Sequence, residues 1–322
     1  MLGLIISSAI SGVLLISILI ASYYAYRSAF WSRGSAKQVR EYFKKDKFSP
    51  VEEKTGALSS EVEGDKYEDV YVKAYDGVDL HARYYEFKKG APVHVLMHGY
   101  KGNPVRSMCG NYKIAKDLGH NVLMVDMRGC RQSGGRAVTF GIKERRDALS
   151  WVDFLSKHSP ESPIFLVGLS LGGATVTMAN TEALPSTVVG VIADCPFSSP
   201  KEILKKVCRD KGMPKIVFPF IILGAILFAG FNPYSFDSLR AAKSARAPML
   251  LIHGEKDGFV PIEMGKEIFD ACIAEKTFLP IPDADHALCY MTDSASYEKA
   301  VSKFVSKQLN KQIIDTVSIK YN

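Results

Sequence analysis

Two kinds of hydrophobic pattern divide the chain. Residues 2–26 contain no charged side chain and consist mainly of Leu, Ile, Val and Ala, a stretch long enough to cross a bilayer as a helix. From residue 66 onwards, short apolar runs alternate with longer amphipathic stretches. The pattern predicts a transmembrane anchor at residues 1–26, a polar juxtamembrane helix and linker at 27–65, and a globular domain at 66–322.

The globular part begins with two β-rich runs, 67–75 and 78–85, which Asp76-Gly77 joins as a hairpin. Strands and helices then alternate, with strands predicted at 93–97, 122–125, 164–167, 188–193, 249–252 and 277–279, and helices at 105–118, 143–156, 262–274 and 297–309. This alternation predicts an α/β fold, in which a mostly parallel sheet has helices on both faces and an antiparallel hairpin at its start.

Residues from about 196 to 240 break the alternation. They include the uncharged run 216–231, which is short for a membrane span and contains Pro219. We therefore expect a helical cap over the carboxyl edge of the sheet. Two interpretations stay open: the cap simply packs into the domain, or its apolar face lines a pocket for an apolar substrate or rests on the bilayer.

Charge and cysteine content narrow the function classes. The net charge is +7, but the basic residues are scattered without a Lys/Arg run, so the sequence gives no support to nucleic-acid binding. The six cysteines form no C-x-x-C pair, which predicts free, mostly buried thiols and neither a disulfide framework nor a metal site.

The flanks of the apolar segment favour a retained anchor. The segment has no basic region before it, and no clear A-x-A cleavage site precedes the first charged residues, although a cleaved signal peptide requires both. Arg27, Arg33, Lys37 and Arg40 follow the segment and no basic residue precedes it. The positive-inside rule then favours a cytoplasmic domain, while the side of the membrane stays open because other signals also orient single anchors.

The candidate chemistry begins at Gly168-Leu169-Ser170-Leu171-Gly172, which follows the predicted strand 164–167 and opens a helix. A nucleophile elbow requires this strand–turn–helix context, in which Gly168 and Gly172 let the two backbones approach and Ser170 projects its hydroxyl. By itself such a motif also occurs in glycine-rich loops without any chemistry, so the rest of the chain decides its meaning.

Partners for Ser170 follow later strands. A serine nucleophile needs a histidine base and an acid that orients it, and Asp257 and His286 lie in the loops after strands 249–252 and 277–279. Their order along the chain, Ser then Asp then His, is the one expected for this elbow. The competing acids are Asp194, Glu255, Asp283 and Asp285. The other histidines, including His98 and His253, are interpreted as structural or supporting residues.

An oxyanion intermediate needs two backbone donors. Leu171, directly after the nucleophile, supplies one N–H, and the loop 98–103 after the first parallel strand supplies the other through Tyr100. The Tyr100 side chain could instead form a wall of the pocket.

Taken together, residues 66–309 resemble the serine α/β-hydrolases, and more narrowly membrane-anchored bacterial members with a prolyl-oligopeptidase-like signature. The resemblance rests on five features: His98-Gly99-Tyr100-Lys101-Gly102-Asn103, Asp126-Met127-Arg128-Gly129 with Ser133-Gly134-Gly135, the elbow, Asp257 and His286. It implies Ser170 as nucleophile, Asp257 as acid and His286 as base, with Tyr100 and Leu171 as the oxyanion hole. The chain departs from the family at Arg131, where such proteins often have a second glycine.

The sequence thus predicts a membrane-anchored serine hydrolase that cleaves a carboxylic ester, or a related acyl bond, through an acyl-enzyme. The expected partners are a small apolar acyl substrate and the lipid bilayer, with no cofactor, no metal and no nucleic acid. A serine peptidase of the prolyl-oligopeptidase type and a catalytically silent scaffold are the alternatives. A haloalkane dehalogenase or epoxide hydrolase is disfavoured because the elbow carries serine and not aspartate.

Overall fold

A computed structural model describes residues 1–32, 51–181 and 183–320. Eight strands form one sheet, and we number them β1 to β8 in chain order: Glu68–Lys73, Asp79–Tyr85, Val93–Met97, Asn121–Asp126, Ile164–Leu169, Val188–Asp194, Met249–Gly254 and Lys276–Ile281. Their order across the sheet is β1-β2-β4-β3-β5-β6-β7-β8. Strand β2 runs antiparallel to both β1 and β4, and the other neighbouring pairs are parallel. The predicted hairpin and the mostly parallel sheet are confirmed.

Within the described residues, the helices are numbered α1 to α11 in chain order: Leu2–Ala29, Glu52–Gly64, Pro104–Asp117, Glu144–His158, Leu171–Ala179, Pro200–Asp210, Val217–Gly224, Ser238–Ala242, Ile262–Ala271, Cys289–Thr292 and Ser294–Lys320. Helix α7 continues into the π-helical turn Ala225–Ala229. Most predicted helix and strand boundaries lie within a few residues of the observed ones. Helix α11 is longer than predicted, because no Gly or Pro interrupts residues 294–320.

The strands bury side chains on both faces of the sheet. In β3, Val93, Val95 and Met97 belong to one apolar cluster, whereas Leu96 belongs to a second. The first cluster includes Trp151 of α4, and the second includes Tyr112 of α3. Since successive residues of a strand point to opposite faces, helices cover both sides and the central strands are apolar throughout. All six cysteines are free and buried, as predicted.

The segment before the domain contains helix α2, which packs on α3. Val62 of α2 is fully buried, and the Asp65 carboxylate accepts hydrogen bonds from the Tyr112 hydroxyl at 2.7 Å and the Lys116 ammonium at 2.6 Å. Part of the predicted juxtamembrane segment is therefore attached to the domain. Arg33, Lys37 and Arg40, which entered the orientation argument, lie outside the described residues. The division into domains stays a prediction.

The insertion between β6 and β7 is helical, as the cap prediction required, and its helix α7 packs against α1. Gly224 makes this contact possible, because a Cβ there would lie 2.5 Å from the Ser22 carbonyl oxygen. Leu4–Ala29 of α1 is long and apolar enough to cross a membrane, a test that an N-terminal signal sequence also passes.

The last turn of α1 is part of the domain core. Phe30, just beyond the helix, is fully buried, and its ring lies edge-on to Phe140 at 5.8 Å and to Phe231 at 5.2 Å. Its carbonyl accepts the Val138 N–H at 2.9 Å. The apolar helix therefore does not end in a free linker but enters the hydrophobic core directly.

Candidate active site

The turn from β5 into α5 places Ser170 at a sharp corner, with φ 55° and ψ −110°. Two glycines make the corner possible. A Cβ at Gly168 would lie 2.2 Å from the Gly172 carbonyl carbon, and a Cβ at Gly172 would lie 1.9 Å from the Met97 carbonyl oxygen. No side chain fits at either position, so strand, helix and the neighbouring strand β3 approach at backbone contact distance.

Ser170, His286 and Asp257 form one hydrogen-bonded chain. The Ser170 Oγ lies 2.9 Å from His286 Nε2, and His286 Nδ1 lies 2.7 Å from Asp257 Oδ2. A carboxylate can only accept, so the proton of the neutral imidazole lies on Nδ1 and Nε2 is free to accept the serine proton. The three residues are separated by up to 116 positions in the chain and are all buried.

The loop after β7 holds Asp257 rigidly. Its Oδ1 accepts the N–H groups of Phe259 at 2.9 Å and Val260 at 2.7 Å, which leaves Oδ2 for the histidine. Burial alone would raise the pKa of Asp257, but hydrogen bonds from His253 and His286 and the charge of His286 together hold it well below its usual range. The carboxyl group is therefore ionised at neutral pH.

His253 supports this acid from the other side. Its Nε2 donates to the Val260 carbonyl at 2.9 Å and lies 3.5 Å from Asp257 Oδ2. The ring also presses against Gly265, where a Cβ would lie 2.4 Å from His253 Nδ1. The supporting role predicted for His253 is consistent with these contacts.

The competing acids lie elsewhere. Asp283 pairs with Lys256 at 2.5 Å, and the Asp285 carboxylate accepts the backbone N–H groups of His286 at 2.6 Å and Gly258 at 3.2 Å. Glu255 is exposed. Asp194 is buried at the end of β6, where burial raises its pKa to about 6, and its Oδ1 has no hydrogen-bond partner among the described residues. Asp257 is the acid whose carboxylate is hydrogen-bonded to the imidazole ring of His286.

The two segments predicted to supply the oxyanion donors lie next to Ser170. Leu171 is the first residue of α5, so its N–H has no intrahelical acceptor. The loop after β3 passes beside the serine, since a Cβ at Gly99 would lie 3.7 Å from Ser170 Cβ. His98 holds this loop by bonding the Gly99 carbonyl at 2.7 Å and the Met127 N–H at 3.1 Å.

The Tyr100 side chain reaches the end of α1. Its hydroxyl donates to the Ala29 carbonyl oxygen at 2.5 Å, and its ring packs on Phe140 at 5.6 Å. The sequence did not predict this link between α1 and the candidate oxyanion loop. Residues 29 and 100 share no motif, and nothing in the local pattern indicates that they meet.

One group of metal-type ligands is present among the described residues. The ligand atoms of Cys195, Asp257 and His286 lie within 4.8 Å of one another. Burial, followed by the charges of Asp194 and Asp257, raises the pKa of the Cys195 thiol well above its usual value, so the thiol stays protonated and is a poor ligand. The Asp257 and His286 atoms are already bonded to each other. The donor chemistry does not suit a metal.

The strand order, the elbow after β5 and the helices on both faces define the α/β-hydrolase fold. A family model described as the alpha/beta hydrolase fold matches residues 92–212, which supports a place in that superfamily. Among solved structures, the esterase Pf2001 of Pyrococcus furiosus is similar with a TM-score of 0.62 and 22% identity, covering 78% of this chain and 93% of the esterase. Est1E of Butyrivibrio proteoclasticus, solved with ferulic acid bound, has a TM-score of 0.60 and 20% identity over 75% of this chain and 99% of its own.

Curated relatives match at lower coverage. The uncharacterised protein YqkD of Bacillus subtilis is 24% identical over 214 residues, which is 66% of this chain and 70% of YqkD. The lysophosphatidylserine lipase ABHD12 of Xenopus tropicalis is 25% identical over 197 residues, 56% of this chain and 46% of the lipase. The match therefore spans about half the length of that lipase.

Proposed function

We propose that this protein is a membrane-anchored serine hydrolase that cleaves carboxylic esters or related acyl bonds through an acyl-enzyme. The observation that carries the proposal is the continuous chain from Ser170 Oγ to His286 Nε2 at 2.9 Å and from His286 Nδ1 to Asp257 Oδ2 at 2.7 Å. The lipase and esterases among the similar proteins suggest hydrolase activity as well.

In the first half-reaction, Ser170 Oγ attacks the acyl carbon while His286 Nε2 takes the serine proton. Asp257 holds the imidazole in the required tautomer and stabilises the imidazolium that forms. The N–H groups of Leu171 and Tyr100 donate to the oxyanion. Collapse of this intermediate transfers the proton from His286 to the leaving oxygen and leaves an ester on Ser170. Water, deprotonated by His286, then attacks the ester, and the acid leaves as Ser170 regains its proton.

The packing of α1 supports retention of the anchor. Tyr26 is 5% exposed and Phe30 is fully buried, both within the apolar cluster that includes Trp151. Removal of the N-terminal helix by a signal peptidase would expose that cluster, which costs free energy in proportion to the apolar area uncovered. A permanent anchor would hold the site close to a bilayer.

The test is covalent labelling of the full-length protein in detergent with a fluorophosphonate probe, followed by intact mass. We expect one adduct on the wild type and on Ser150→Ala, whose serine lies on α4, but none on Ser170→Ala. Esters of increasing acyl length and peptide amides are then compared as substrates. An adduct that persists on Ser170→Ala contradicts the proposed nucleophile, preferential cleavage of peptide amides favours the peptidase, and an unlabelled folded wild type favours the silent scaffold.

A further inference from the structure

A cavity lies away from the hydrogen-bonded chain of Ser170, His286 and Asp257. It has a volume of about 440 Å³ and is formed where the end of α1 meets the cap and the turn between β1 and β2. Ser170, Asp257 and His286 are not among its lining residues, which include Tyr23, Trp31, Arg128, Arg136, Lys143 and Phe228.

One wall of this cavity carries an excess of positive charge. Arg128 is bound by two carboxylates, Asp147 at 2.5 Å and Asp76 at 3.0 Å. Lys143 lies 3.9 Å from Asp76, so these two cations and two carboxylates balance. Arg136 has no carboxylate partner among the described residues, and its side chain is exposed at the cavity. Among the described residues, the cavity therefore has a guanidinium without a carboxylate partner beside a weakly paired ammonium.

A further cation, Arg27, lies at the rim of the cavity. Arg27 sits over the ring of Trp31, with its guanidinium carbon 4.1 Å from the ring centroid. Trp31 lines the cavity, so Arg27 adds to the positive field at its mouth without an acid of its own helix nearby. An anionic ligand is the chemical class that this charge distribution favours.

The opposite wall is aromatic and leads to an exposed apolar surface. Tyr23 packs edge-on against Phe228 at 5.4 Å, and Tyr26 contacts the same ring at 5.9 Å. Next to Phe228, Ile226 and Leu227 of the cap are 44% and 51% exposed. This surface continues along the exposed apolar face of α1. Aromatic side chains in this position are typical of the headgroup level of a membrane.

We propose that the cavity binds the headgroup of an anionic phospholipid from the surrounding bilayer. The phosphate contacts Arg136 and Lys143, and the acyl chains leave past Phe228 and Tyr23 along the apolar surface of α1 and the cap. A soluble phosphate would meet the same cations but would leave the apolar wall uncovered. The inference rests on the proposed membrane anchoring, not on the chemistry at Ser170.

The experiment uses native mass spectrometry of the full-length protein in an uncharged detergent. The protein is titrated separately with phosphatidylglycerol, with phosphatidylcholine and with inorganic phosphate. We expect saturable binding of one phosphatidylglycerol, and much weaker binding of the other two ligands. Equal affinity for the two lipids overturns the proposal, and saturation by phosphate alone shows a site for soluble anions instead.

Two charge-matched variants locate the site. Arg136→Gln with Lys143→Gln removes the proposed contacts, whereas Lys157→Gln with Lys303→Gln removes the same charge from exposed helix positions elsewhere. Each lost cation should weaken anionic lipid binding about fivefold, so the first variant should bind about 25-fold more weakly and the second as the wild type does. Equal affinities for the two variants overturn the assignment. Fluorophosphonate labelling of the same samples reports separately on the proposed chemistry at Ser170.

Discussion

Several residues at and around the candidate nucleophile have positive φ values. Lys101, Ser170, Cys195 and Ala287 have φ values of 51°, 55°, 42° and 63°. Each costs about 1–2 kcal/mol relative to an ordinary conformation, and such strain persists only where the surroundings enforce it. All four lie in loops at the carboxyl edge of the sheet. Strain concentrated at this edge is consistent with a site whose geometry matters more than local stability.

Arg131 is another non-glycine residue with a positive φ. The family that the chain resembles often has glycine at this position, and here the backbone keeps a glycine-like φ of 47°. The Arg131 side chain lies 3.4 Å from Asp126, an ion pair that offsets part of the strain.

The single substitution Asp257→Asn tests the role of the acid. The asparagine oxygen can still accept the Phe259 and Val260 N–H groups, which turns its NH₂ group towards His286 Nδ1 and moves the imidazole proton to Nε2. A histidine in that tautomer cannot accept the serine proton, so kcat should fall about 10⁴-fold with little change in thermal stability. Ester turnover and the melting temperature are measured together, and a fall of less than tenfold at full stability contradicts the assigned role.

At the scale of elements, the two ends of α1 differ in what they contact. Its first turns present apolar side chains outwards, as an anchor should, whereas Ser22, Tyr26 and Phe30 pack into the domain. Through the Ala29 carbonyl the helix also fixes the Tyr100 side chain. Apolar residues are equally suited to lipid and to a protein core, so hydropathy predicts the helix but not which of its residues face the domain.

Gly224→Leu tests the docking of α1 on the cap. The new side chain would clash with the Ser22 carbonyl, so the two helices must separate or shift, at a cost of about 1–3 kcal/mol. We expect a lower melting temperature and faster proteolysis near residues 29–32. Gly12→Leu is the matched control, because a Cβ at Gly12 meets nothing within 4 Å. Equal behaviour of the two variants would mean that the contact does not hold α1 in place.

At the scale of the whole molecule, the sheet has a buried polar pair that couples stability to pH. His94 of β3 and His120, just before β4, lie 3.1 Å apart between Nε2 and Nδ1. Burial lowers the pKa of His94 to about 3 and that of His120 to about 4. Both are neutral in the folded protein at pH 5, where unfolded histidines are charged, so the unfolded state binds more protons.

Stability should therefore fall as pH decreases below about 6.5, by about 1.4 kcal/mol per pH unit for each histidine, down to the folded pKa values. His81 does not offset this loss. Hydrogen bonds with Asp126 and Asp69 outweigh burial and raise its pKa, so its contribution is fully present below about pH 6.5 and is lost only as pH rises. Melting temperatures of the wild type and of His94→Gln with His120→Gln, measured between pH 6.5 and 5, should show a smaller slope for the variant. Parallel curves contradict the assignment.

Local patterns in the sequence were sufficient for the sheet, the elbow at Ser170, the helical cap and the apolar N-terminal helix. Strand and helix periodicity and the steric demand for Gly168 and Gly172 act over a few residues, so they can be read without knowing the rest of the fold. Four features depended on tertiary structure: the contact of Asp257 with the His286 ring, the bond from Tyr100 to Ala29, the packing of α1 on Gly224, and the cationic cavity beside them. Each arises from segments that are distant in the chain and meet only when the sheet and cap are assembled. A local pattern therefore cannot indicate which of several suitable side chains will be in contact.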